Sequence, residues 1–405
     1  LNDDGDFIGF DVVIGNPPYG LFNKKQNKKI ALVVEDQIID VLKKNYPEAT
    51  GGVINAARIF YAFGLRISAN NGFQSMIIPF GILTGTTSVE VRKKLLFDHT
   101  IIKVEAFPER DSTNRRVFED VKMSTAILIT SYSKTEVGFD IGISYDRKIE
   151  YQNRAFFYPK ALQKLNPELV QIPLTDANSF NLLVKIYENP KIQKLGSITN
   201  CLTGEVDMTF GKNALSFSTT DSKLLKGVQI DKYIEKTTID QISQGELEFL
   251  NLQLFERIYS GKKLQDSDSR RIALQGLSGV NEKNRIKATI IDKGCYLANS
   301  CNYVLSPKEL DLEVILAYLN SSLMNFVFKA KSTSSNVNGY EIDDLPIIID
   351  TQLNIRFKEI VTQILSAKNA DIKADTIQLE AKIDQLVYEL YGLTEEEIKI
   401  VEGKG

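Results

Sequence analysis

The sequence predicts an α/β domain followed by an α+β segment and a helical tail. Three observations carry this. Strand and helix patterns alternate through the first 150 residues. From about residue 181, short strands are separated by Gly, Asn and Ser turns. From residue 353 to 401 the chain is helix-forming. Residues 10–15 (FDVVIG) form a short apolar run closed by a Gly-Asn-Pro-Pro turn, the pattern of a buried strand. Residues 30–45 and 53–69 have helical spacing. Residues 73–79 and 100–106 read as strands, with a helix over 88–97 that Ser88 is placed to cap. Residues 123–130 are a β-branched strand, with 138–145 as its partner. This order predicts a mostly parallel sheet with helices on its faces. Residues 151–180 are Asn/Pro-rich and read as a connector. Strands follow at 272–274, 286–291 and 303–305, then helices at 309–319 and 321–331. The tail breaks at Tyr391-Gly392-Leu393, and Thr394 with Glu397 has capping-box spacing. The domain division is therefore 1–150, a connector 151–180, 181–350 and a helical tail 351–405.

The 405 residues are 43% hydrophobic and 25% charged, which excludes a disordered chain, a collagen-like repeat and a disulfide scaffold. No apolar run approaches the roughly 20 residues of a membrane span. The opening LNDDGDF has neither the basic nor the apolar region of a signal peptide. Its first residue is Leu, so a longer parent polypeptide is expected. Three cysteines, Cys201, Cys295 and Cys301, fit a reducing compartment such as the cytoplasm. The single histidine, His99, leaves a zinc site short of ligands and a His-dependent triad with one option, so no metal is expected. The net charge is −3. The tail, 351–405, holds 7 basic and 10 acidic residues, while 1–350 balance at 42 and 42. The body is thus free to carry local basic patches.

The sharpest signal is Asn16-Pro17-Pro18-Tyr19, directly after the first predicted strand. Ligands in α/β sheets bind at the carboxyl ends of strands. Two prolines hold the backbone extended and offer carbonyls without competing donors. The Asn16 amide oxygen and the Pro17 carbonyl can each accept one hydrogen of a planar NH2 group. That draws the nitrogen lone pair out of conjugation and makes it nucleophilic. Tyr19 offers a ring face for stacking. Asn-Pro-Pro is also a common turn, and that reading stays open.

NPPY after an apolar strand resembles the catalytic motif of amino-methyltransferases that use S-adenosylmethionine, chiefly the DNA adenine-N6 enzymes. Residues 57–68 (ARIFYAFGLRIS), Asn71-Gly72-Phe73 and 76–83 (MIIPFGIL) are similar to the helix, turn and strand that come after NPPY in the Taq-type and type IIG restriction-modification methyltransferases. Residues 116–129 (RVFEDVKMSTAILI) resemble their later motif, in which an aromatic residue helps to hold the extruded adenine. Phe118 is the matching position, with a plain core aromatic as the alternative. Leu202-Thr203-Gly204, 224–233 (LLKGVQIDKY), 296–305 (YLANSCNYVL) and 316–345 resemble the Taq-type target-recognition domain. Residues 383–401 resemble the C-terminal helical element of type IIG polypeptides.

This resemblance implies the C-terminal half of a Rossmann-like methyltransferase sheet, then a DNA target reader, in a restriction-modification or phage-defence system. Methyl transfer would go directly from S-adenosylmethionine to a flipped adenine. In this family the cofactor strands precede NPPY, which here begins at residue 16. The chain alone is therefore expected to bind cofactor weakly or not at all, and to work with the upstream region of the same polypeptide.

Double-stranded DNA is the expected partner. Lys24, Lys25, Lys28 and Lys29 lie just beyond NPPY and suit phosphate oxygens; a solvated surface run is the alternative. Arg115, Arg116, Arg270, Arg271, Lys329 and Lys331 are further candidates. Gln275 and Asn338 have the chemistry to read adenine edges. Two other readings stand beside methylation of DNA: a non-catalytic, sequence-specific DNA-binding fragment, and a methyltransferase for an amide or amine in protein or RNA.

Overall fold

A computed structural model describes residues 3–23, 31–33, 36–109, 111–120, 122–135, 137–259, 261–279, 282–332 and 334–404. The chain divides into two units, Leu1–Glu188 and Asn189–Gly405.

In the first unit, β1 (Phe10–Gly15), β2 (Ser68–Pro79), β3 (Thr100–Phe107), β4 (Thr125–Ser131), β5 (Phe139–Ile143) and β6 (Arg154–Phe157) form one sheet. Their order is β1-β2-β4-β3-β5-β6. β1 runs parallel to β2, and β3 to β5, while the other three pairings are antiparallel. The sheet is mixed, which corrects the mostly parallel expectation. Residues 108–124 join β3 to β4 without a crossover helix, so β4 returns antiparallel beside β3. Its other edge takes β2. Both edges of β4 are then filled, and residues 138–145, expected beside it, pair with β3 instead.

The pattern of β1 predicts a buried strand. It is instead the edge strand of the sheet, with Val12 56% and Ile14 78% exposed. Its partner across from Val12, Phe73, is 48% exposed. β2 begins four residues before Gly72 and bulges there, with Asn71 at φ 67° and the β1 register slipping between Phe10 and Val12. A Cβ on Gly72 would lie 2.7 Å from the Phe10 carbonyl oxygen, so only glycine lets β1 come this close.

The helices of this unit include α1 (Asp36–Asn45), α2 (Ala56–Ile67), α3 (Val89–Phe97) and α4 (Pro159–Leu165). Helix α1 starts later than expected, because residues 31–33 pair in parallel with Leu21–Asn23. Asn55 caps α2 by accepting from the Arg58 amide. The α2 stripe of Ala57, Tyr61, Gly64 and Leu65 is buried, and Gln74 on β2 donates to the Tyr61 carbonyl at 3.1 Å. Residues 151–180 carry regular elements on both sides of an irregular stretch at 166–176. They hold β6, α4 and the start of α5 (Ala177–Glu188), and Phe157 stacks on Phe180 with centroids 4.0 Å apart.

In the second unit, β7 (Cys201–Thr203), β8 (Arg271–Gln275), β9 (Ala288–Ile291) and β10 (Cys301–Leu305) form an antiparallel sheet in the order β7-β10-β8-β9. Four shorter strands make a second sheet over Val206, Leu224, Leu250, Phe255 and Ala298. Helices α6 (Leu312–Asn320) and α7 (Ser322–Lys331) come next, close to their expected places. The tail is α8 (Thr351–Ala370), α9 (Ile377–Tyr391) and α10 (Glu395–Glu402). Gly392 ends α9 in the left-handed conformation at φ 61°, and Thr394 and Glu397 form the reciprocal capping box. A second break, at 371–376, has no counterpart in the sequence expectation. The tail packs on its own unit: Asp384 accepts from the Ser322 amide and hydroxyl at 2.7 Å each, and Tyr391 donates to the Pro346 carbonyl at 2.5 Å.

Candidate active site

The Asn-Pro-Pro-Tyr segment leaves the carboxyl end of β1, where Gly15 faces Met76 of β2. Pro17 is buried, Asn16 and Pro18 are exposed, and Tyr19 is half-buried. The Tyr19 hydroxyl donates to the Ile77 carbonyl at 2.9 Å. Just beyond, the Gly20 carbonyl accepts from the Ala56 amide at 2.8 Å, and the Phe22 amide donates to the Ile54 carbonyl at 2.9 Å. The motif is thus stitched to β2 on one side and to the start of α2 on the other. Burial pushes the Tyr19 phenol above its ordinary range, so the ring stays neutral and the hydroxyl stays a donor at neutral pH.

Phe118, far along the chain, meets this segment. Its ring lies 5.7 Å from that of Tyr19, centroid to centroid, at 79°. The two aromatics named for base stacking are therefore neighbours, in an edge-to-face arrangement. The 108–124 connection that carries Phe118 is bound by charge. Arg115 pairs with Glu109 at 2.9 Å and Lys122 with Asp111 at 2.9 Å. Arg116 donates to the Glu119 carbonyl. Arg147, from beyond β5, pairs with Glu119 at 3.0 Å and donates to the Thr113 carbonyl at 2.7 Å. Arg115 and Arg116, expected to face phosphates, are engaged within the loop, although Arg115 is still 55% exposed. Sequence reasoning passed over Arg147. The one signal available was its place in a charged cluster, DRK, directly after a strand.

The other expected contacts separate by burial. Lys24, Lys25, Lys28 and Lys29 lie outside the described residues. Arg270 is half-exposed and sits near Glu313 and Asp292. Arg271 is a correction. Its side chain is wholly buried, paired with the equally buried Glu205 at 2.5 Å, donating to the Cys295 carbonyl at 2.9 Å and lying 4.5 Å over the Tyr303 ring. No phosphate can reach it. Arg271 opens β8, whose first four residues are buried, whereas Arg270 lies just before the strand. Lys331 is likewise mostly buried and paired with Asp344, whereas Lys329 is exposed. Asn338 spends its amide on Glu341, at 2.8 Å, as the cap of a short helical turn. Gln275 is half-buried at the end of β8. Beside it, residues 276–279 run against 335–337 through Ser278–Ser335 (2.8 Å) and Val337–Gly276 (3.0 Å) backbone bonds. The buried Arg285, which donates to Ser278 and to the Ser334 carbonyl, holds this ribbon from below. His99 is buried, with its ring nitrogen 3.1 Å from the Tyr132 carbonyl.

The Asn-Pro-Pro-Tyr turn thus leaves the edge strand of the sheet with the Phe118 ring brought onto Tyr19. Residues 2–112 match the family model described as Eco57I restriction-modification methylase. Over 408 residues the chain is 23% identical to RM.MjaORFECS2P of Methanocaldococcus jannaschii, whose name describes a type II restriction enzyme and methyltransferase. That match covers 95% of this chain and 31% of that protein. The fold is shared with the type IIL restriction-modification enzyme MmeI, solved in complex with DNA. The TM-score is 0.56 at 14% identity, over 97% of this chain and 56% of that one. The chain thus spans about a third of its curated relative (31%). Among the described residues, no helix is long and apolar enough to cross a membrane.

β1, which delivers Asn16, is the edge of the sheet, with no described strand on its outer side.

Proposed function

We propose that this chain is the acceptor-binding half and target reader of a DNA adenine-N6 methyltransferase from a restriction-modification or related defence system. The observation that carries the reading is the Asn16–Tyr19 turn at the carboxyl end of β1, with the Tyr19 ring tethered to Ile77 and touched by Phe118. The match of residues 2–112 to a restriction-modification methylase model supports it.

In this reading an adenine leaves the duplex, at a cost of a few kcal/mol, and lies on the Tyr19 ring. The exposed Asn16 amide oxygen and the Pro17 carbonyl accept the two N6 hydrogens. The backbone that carries both acceptors is held by the prolines and by the bonds of Gly20 to Ala56 and of Phe22 to Ile54. The acceptors therefore stabilise charge developing on N6 without reorganising. The chain has one histidine and needs no titrating base. The methyl donor would be S-adenosylmethionine, held by a further segment. The exposed Val12, Ile14 and Phe73 on the open side of the sheet are suited to receive such a segment. The same exposure favours a second reading for the isolated chain, a sequence-specific DNA binder without turnover. The second unit, with Lys329, Arg270 and the ribbon at 276–279, would read the target.

The test is mass spectrometry of nucleosides from plasmid DNA treated with this chain, the cofactor-binding segment that the proposal requires, and labelled S-adenosylmethionine. N6-methyladenine that disappears in Asn16→Ala supports the reading. Label on cytosine, or on protein or RNA in place of DNA, overturns it.

A further inference from the structure

We infer that Arg147 is a positioning residue for Phe118: its ion pair with Glu119 sets how far Phe118 stands from Tyr19, and so whether the Tyr19 ring is open to a flat base. The inference rests on the proposed function for the identity of the base, but not for the motion.

The geometry begins with the aromatic pair. Phe118 meets Tyr19 edge to face, 5.7 Å between centroids and 79° between planes. A heterocycle sandwiched between two rings needs parallel faces about 7 Å apart, twice the ~3.5 Å contact distance of carbon atoms. The observed pair is too close and turned the wrong way. One of the two rings must therefore move before a base can lie between them.

Tyr19 is the fixed partner. Its hydroxyl is bound to Ile77 on β2, and the backbone after it is bound to Ile54 and Ala56 at the start of α2. Phe118 is the movable one. It lies on a connection between two strands, and its neighbour Glu119 is held from outside that connection by Arg147 at 3.0 Å. The same guanidinium donates to the Thr113 carbonyl at 2.7 Å, so one side chain grips the connection on both sides of Phe118. The pairs Arg115–Glu109 and Lys122–Asp111 lie within the connection. Arg147 and Glu119 are 37% and 67% exposed, so their attraction is screened and modest. That suits a latch that opens on ligand entry better than a permanent brace.

The chain has no tryptophan, so Phe118→Trp creates a single fluorescent reporter at the moving position. Iodide quenching of that reporter is compared in the Arg147 background, in Arg147→Ala, in Arg147→Lys and in the charge-swapped pair Arg147→Glu with Glu119→Arg. Loss of one exposed pair should raise the population with Phe118 displaced by about two- to fivefold, read as a steeper quenching slope. Arg147→Lys and the swapped pair should bring the slope most of the way back. Equal slopes in all four backgrounds, with circular dichroism showing folded protein, overturn the inference. If tryptophan at 118 disturbs folding, p-cyanophenylalanine at the same position gives the same readout. Neither DNA nor cofactor is needed, so a failed methylation assay leaves this test intact. Unchanged quenching rejects the latch even where methyl transfer is observed.

Discussion

Tyr19 and Ile77 are 58 residues apart in sequence, and the hydroxyl of the first donates a 2.9 Å hydrogen bond to the carbonyl of the second. This bond joins the turn after β1 to the neighbouring parallel strand. It fixes the ring face on which the proposed chemistry depends.

Asn16 is expected to matter for rate and not for folding. It is exposed at the tip of the turn, and its replacement by Ala removes one preorganised acceptor. The loss should be about 10²–10³-fold in methyl transfer, as for other single preorganised groups. Melting temperature and DNA affinity should stay unchanged. A parallel fall in stability would show that Asn16 is only a turn residue. Tyr19→Phe should keep the stacking face and lose about 0.5–1.5 kcal/mol of stability with the bond to Ile77.

Arg270 and Arg271 are adjacent and should behave oppositely. Arg271→Met leaves the buried Glu205 carboxylate without its cation and should cost about 3–5 kcal/mol in urea unfolding. Arg270→Ala should leave stability within about 0.5 kcal/mol. If Arg270 reaches a phosphate, it should also lower the salt slope of DNA binding by about 1. Equal unfolding midpoints for the two variants would contradict the burial assigned to Arg271.

Much of this was legible in the sequence, and the limits are instructive. The Asn-Pro-Pro-Tyr turn, the break at Gly392 and the Thr394 cap were readable because each depends on local residue chemistry, whereas Phe118 was reached only through the family resemblance. The place of β4 between β2 and β3 was not, because strand order is decided by which edges remain free after pairing. The burial of Arg271 and Lys331 was not readable either. Composition marks them as surface cations, and only tertiary partners, Glu205 and Asp344, allow them inside. Arg147 was not readable because its partners, Glu119 and the Thr113 carbonyl, lie 28 and 34 residues away in sequence.

Alkaline pH should unfold the chain in two stages. Burial raises the thiols of Cys201, Cys295 and Cys301, that of Cys295 up to about 12. Burial also raises the phenols of Tyr19, Tyr61, Tyr233 and Tyr318. A group whose folded value is raised stabilises fully below its unfolded value, and that stability is lost as pH rises toward the folded value. Stability should therefore decline from about pH 8.5 as unfolded thiols ionise, and more steeply above about pH 10 with the phenols. Replacing the three cysteines by Ala should abolish the first stage and keep the second. Native thiols should also resist a thiol reagent until urea is added. Rapid labelling at pH 7.5 would contradict their burial.

The open edge of β1 should make the isolated chain prone to association. Ile14 is 78% exposed, and Ile14→Lys should reduce light scattering at equal concentration without loss of melting temperature. If the edge receives a further segment of the same polypeptide, that substitution should also weaken reconstitution with the segment. Unchanged scattering and unchanged reconstitution would show that the edge is inert.

The most direct test of the central claim is reconstitution of methyl transfer. This chain, alone and mixed with the separately expressed cofactor-binding segment that the proposal requires, is incubated with plasmid DNA and labelled S-adenosylmethionine. The account predicts N6-methyladenine from the mixture, none from this chain alone, and none from the mixture when Asn16 is replaced by Ala. Label appearing with Asn16→Ala at the rate of the unaltered chain, or methylation of any group other than the adenine amine, would contradict it.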